Sequence, residues 1–87
     1  MKTLQELNEQ SNKAKVNLLI TDAEMALTLL DMARASRIME LKERRTGEAL
    51  KAYIFIRKHI PTVSLTPSET IVINKKMALL KHRLLLS

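Results

Sequence analysis

Prolines occur at two positions only, 61 and 67, and they bracket the segment "PTVSLT". This punctuation constrains the fold more than any other feature. Pro61 restricts the residue before it to extended backbone and so ends whatever helix precedes it. Pro67 stands one residue after Thr66 and two before Glu69. Thr66 as N-cap, Pro67 at the first helical position and Glu69 at the third make a capping box with a pre-set φ. A helix is therefore expected from Pro67 nearly to Ser87. Residues 61 to 66 form a short extended link, with Val63 or Leu65 turned inward.

Upstream of Pro61 the only other breaker is the single glycine, Gly47. Tight β-hairpins need Gly, Asn-Gly or Asp-Gly pairs at their turns, and the chain contains no such pair. Of its residues 46% are hydrophobic but only 2% aromatic, so Leu, Ile, Met and Ala must fill the core. Such side chains interlock well between helices and poorly between sheets. The expected fold is all-α: an antiparallel three-helix bundle, built as a helical hairpin plus a C-terminal helix. An 87-residue chain is one domain at most and stays marginal unless well packed or associated.

Thr21 and Glu24 give a second capping box, and Met25, Ala26, Leu29, Met32 and Ala33 follow it at the spacing of one helical face. The bundle domain is accordingly set at residues 21–87. Residues 1–20 are expected to be only partly ordered, with a short helix at most, capped by Thr3 and Glu6. The first helix of the hairpin is expected to break near Arg37 to Glu40. The alternative break at Gly47 would shorten its partner too far, and an interior glycine costs only about 1 kcal/mol against alanine.

In the second helix Ala49, Tyr53, Ile56 and Ile60 share a face, while Phe55 lies about 160° from Tyr53 at 100° per residue. That places Phe55 in a basic stripe with Arg44, Lys51 and Lys58. In the last helix Ile73, Met77, Leu80 and Leu84 make one apolar stripe; Val72, Leu79 and Leu86, spaced by sevens, make another. A three-helix bundle needs only one. The second must be covered by Leu18 and Leu19, covered by a partner, or left bare.

The small-aromatic-apolar-proline run Ala49, Tyr53, Ile56, Pro61 resembles the second helix of a tetratricopeptide repeat. Arg37 stands where that repeat has glycine and there is no second copy, so a stacked array, which needs about three units, is not implied. From Ala33 to Leu85 the chain also resembles a group of short bacterial proteins of unassigned function. The shared features are Ala49, Lys51-Ala52-Tyr53, Pro61, Leu65-Thr66-Pro67 and Met77-Ala78-Leu79-Leu80-Lys81. That resemblance implies a hairpin plus a third helix and carries no activity.

Chemistry is thinly represented. Without cysteine there are no disulfides, thiolate metal sites or thiol nucleophiles, and one glycine cannot build a phosphate loop. His59, in the last turn of its helix, suits the dipole there; His82 sits between Lys81 and Arg83 on a solvated face. Glu40–Arg44 and Arg44–Glu48 read as i,i+4 pairs. No catalytic, cofactor-binding or metal-binding residue is nominated, and neither an enzyme nor a small-molecule substrate is expected. No apolar run approaches a membrane span, no signal peptide is apparent, and the cytoplasm is the expected compartment. The net charge is +6. The expected function is a protein-interaction module, self-associating or with a protein partner, using Phe55, Val72, Leu79 and Leu86. The alternative is nucleic-acid binding through Arg44, Lys51 and Lys58.

Overall fold

In the computed structural model the backbone is described for residues 4–86 and side chains for residues 10–86. Three helices account for nearly all of it: α1 (Leu4–Ala35), α2 (Met39–His59) and α3 (Pro67–Leu85), with a single 3-10 turn at Ile60–Thr62 between the last two. No strand occurs among the described residues. The chain is an all-α three-helix bundle.

The thirty-two residues of α1 span about 48 Å at 1.5 Å per residue, which sets the 54 Å long axis of the molecule. α2 runs back along α1, pairing Ala26 and Leu30 with Ala49, and Leu19 and Ala23 with Ile56. α3 then runs parallel to α1. Three contacts fix its register: Asn12 with Ser64, Glu24 with Lys76, and Asp31 with Arg83. Each joins residues 52 apart, so the two helices stay in step over their shared length.

Two expected boundaries are met. The first helix gives way at residues 36–38, where the Ser36 hydroxyl donates to the Ile38 carbonyl and accepts from its amide. This local side-chain competition for the backbone breaks a helix without Gly or Pro. Gly47 lies inside α2 with ordinary helical backbone. The capping box is complete: Thr66 Oγ1 accepts from the Glu69 amide at 3.1 Å, and Glu69 Oε1 accepts from the Thr66 amide at 2.9 Å.

The N-terminal third corrects the sequence reading. α1 does not start at Thr21 but at Leu4, so Thr21 and Glu24 lie mid-helix. Residues 10–20 are an integral part of the bundle, and Val16 and Leu19 are buried in it. The proposed cap at Thr3 and Glu6 lies outside the described side chains. The expected face is right at Ala26 and Ala33 and wrong at Met25 and Met32. The buried row is Val16, Leu19, Ala23, Ala26, Leu30 and Ala33, while Met25 and Met32 are exposed. The reason is steric: a small residue such as Ala26, packed with Ala49, lets α1 and α2 approach closely, which the bulkier methionines would prevent.

The link after α2 is less extended than expected. Ile60 keeps helical backbone before Pro61, which lies inside the 3-10 turn instead of opening an extended link, and Thr62 Oγ1 donates back to the His59 carbonyl. Val63 then turns inward against the Leu19–Ala23–Ile56 cluster.

Candidate interaction surface

The core uses the inward stripe of each helix. Ala49 and Ile56 are fully buried on α2, with Tyr53 and Ile60 packed beside them; Ile73 and Leu80 are fully buried on α3, with Met77 and Leu84 alongside. What these faces leave over forms the candidate site.

On α3 the second stripe is uncovered: Val72 is 40% exposed, Leu79 42% and Leu86 74%. The N-terminal leucines do not seal it. Leu19 turns to Ile56 of α2 and Leu18 stays outside. Two cations interrupt the stripe in the order Val72, Lys76, Leu79, Arg83, Leu86. Lys76 reaches Glu24 at 3.3 Å, and Arg83 Nη1 donates to Asp31 Oδ1 at 2.7 Å. Leu86 departs from its fellows. It lies just past the end of α3 and borders a cleft of about 260 Å³ shared with Arg34, Lys42, Thr46 and Arg83. The continuous part of the row is therefore Val72 and Leu79.

Phe55 is exposed on α2. Its ring stacks on His59, with centroids 4.1 Å apart. The His59 Nδ1–H donates to the Phe55 carbonyl at 2.8 Å, since a carbonyl oxygen can only accept. Together they wall an apolar cleft of about 250 Å³ with Lys15, Leu18, Leu19, Thr62 and Val63. Phe55 thus borders α1 on its α2 flank. Lys76 and Arg83 tie α3 to the other flank, through Glu24 and Asp31. The structure does not unite Phe55 with the α3 stripe; the outward face of α1 lies between them.

That outward face is what the sequence reading missed. Leu18, Met25 and Met32 recur every seven residues along it and are all exposed, beside a shallow groove lined by Thr21, Thr28, Leu29 and Arg45. The signal was present as a second heptad row on a helix already assigned one. It stayed hidden because Met25 and Met32 had been spent on the core.

Arg44, Lys51 and Lys58 are exposed on the outer side of α2. Arg44 meets Glu40 only at 4.0 Å, and no Arg44–Glu48 ion pair forms among the described residues. No group of three or more His, Asp or Glu residues is placed to share a metal ion among the described residues. Among them, too, no helix is long and apolar enough to cross a membrane. Neither a family model, a curated protein nor a solved structure matches this chain.

Proposed function

We propose that this protein is a helical protein-interaction module that works by self-association, not by catalysis. One observation carries the reading. α1 and α3 each present a second apolar row, Leu18–Met25–Met32 and Val72–Leu79, that stays exposed among the described residues. Single exposed apolar residues are ordinary on monomers, but rows at heptad spacing on neighbouring helices are the pattern by which helices dock. Methionine adds a flexible, polarizable contact suited to such a surface. The ion pairs of Lys76 and Arg83 supply the polar rim that non-obligate interfaces carry. The test is the mass in solution by light scattering. An oligomer supports the reading, and a monomer at every concentration removes self-association.

Nucleic-acid binding is the second reading, favoured by Arg44, Lys51 and Lys58. All three are exposed and recur every seven residues over about 21 Å of α2. It requires binding that weakens steeply with salt as phosphate contacts release counterions. Absence of binding to DNA and RNA at low salt would remove it.

A further inference from the structure

The outward face of α1 holds more than its three large residues. Read at alternating spacings of three and four, it runs Ser11, Ala14, Leu18, Thr21, Met25, Thr28, Met32, Ala35. All eight are exposed. None is charged, over about 36 Å of helix, in a chain where 28% of residues carry charge. α1 thus has two opposed seams of coiled-coil spacing, one inside the bundle and one facing out.

We infer that the occupant of the outer seam is α1 of a second copy, packed antiparallel about a two-fold axis near Ala23. The inference rests on the interaction-module reading and specifies its surface, partner and direction. Residue size decides the direction. Leu18, Met25 and Met32 take one of the two alternating positions, with Ser11; Ala14, Thr21, Thr28 and Ala35 take the other. Antiparallel pairing sets one kind opposite the other: Ser11 against Ala35, Ala14 against Met32, Leu18 against Thr28, Thr21 against Met25. In every layer but the polar end one, a large residue meets a small one, which fills space evenly. Parallel pairing would set Met on Met in one layer and Thr on Thr in the next, alternating crowded layers with hollow ones. The groove beside Thr21 and Thr28 is already formed to receive the partner's side chains, with Met32 held at its wall by Arg45 Nη1 at 3.7 Å from the sulfur.

Charge sets a cost and a signature. Asp22 and Glu24 flank the axis, so each approaches its own copy, and both chains carry +6. Glu24 is partly neutralised by Lys76. The dimer is therefore opposed by like charge and tightens as salt is added, the reverse of nucleic-acid binding.

The absence of native cysteine makes the test clean. Full-length Thr21→Cys and Met25→Cys chains are mixed under mild oxidation, with each variant alone as control and reducing gels as readout. Antiparallel pairing predicts a disulfide between the two different variants, forming faster than in either one alone. Faster homodimer cross-linking by each single variant indicates parallel helices and overturns the inference. An oligomer by light scattering with no cross-link in any mixture overturns the seam while leaving the interaction module standing. A monomer at all concentrations removes both. Circular dichroism of each variant confirms that it is folded.

Discussion

Asn12 and Ser64 hold each other twice: Asn12 Nδ2 donates to the Ser64 carbonyl at 2.9 Å, and the Ser64 amide donates to Asn12 Oδ1 at 2.7 Å. The pair ties the α2–α3 link to the first turns of α1 and sets the 52-residue step that Glu24–Lys76 and Asp31–Arg83 repeat. A side-chain amide is suited to this because it both donates and accepts, matching one residue's backbone. Asn12→Ala should lower stability by about 1–2 kcal/mol, two modest hydrogen bonds, read by urea denaturation. No change in the denaturation midpoint would show that the link is held by Val63 alone.

Gly47 offers a stabilising substitution. It lies inside α2 with ordinary helical φ, and a Cβ added there meets nothing within 4 Å. Gly47→Ala should gain about 0.5–1 kcal/mol by restricting the unfolded chain and improving helix propensity. A lower melting temperature would mean that the exposed side of α2 at this point is covered in solution.

Ala49 sets the α1–α2 separation. It is fully buried against Ala26 and Leu30, so Ala49→Leu should cost about 1–3 kcal/mol through overpacking. On the outer side of the same helix pair, Met25→Leu should leave stability nearly unchanged in a monomeric state. Equal effects at the two positions would contradict the assignment of inner and outer faces.

The α3 start was fully readable, because Thr66, Pro67 and Glu69 are local signals whose chemistry does not depend on the rest of the fold. The inner faces of α2 and α3 were readable for a related reason: Ala49 and Ile56, and Ile73 and Leu80, lie on stripes that Tyr53 and Ile60, and Met77 and Leu84, widen. α1 was not. Its two seams compete, and the sequence alone favours the one with larger side chains, Met25 and Met32. Burial kept Ala26 and Ala33 of that row but took Ala23 and Leu30 in place of the methionines, because helix approach rewards small residues only once the partner helix is in place. Phe55 was placed correctly on the wheel and is exposed, but its stacking on His59 and the cleft it walls with Leu18 and Leu19 depend on the neighbouring helix.

Thr66→Ala should shorten or fray the start of α3 and cost about 1 kcal/mol. Because α3 is held to α1 beyond its first turn by Lys76 and Arg83, the loss should appear as fast hydrogen exchange confined to the first turn, at the Thr70 amide, which donates to the Thr66 carbonyl. Exchange rising equally along α3 would show that the cap holds the whole helix.

Self-association through α1 requires that its outward side meet another copy in solution. Light scattering across a concentration series, at low and high salt, tests this directly for the native chain, Met25→Glu and Leu79→Glu. The native chain should approach twice its 9.9 kDa monomer mass, more readily at high salt. Met25→Glu should stay monomeric, and Leu79→Glu should still dimerise. A native chain that remains at the monomer mass throughout, or a Met25→Glu chain that dimerises as well as the native one, would contradict it.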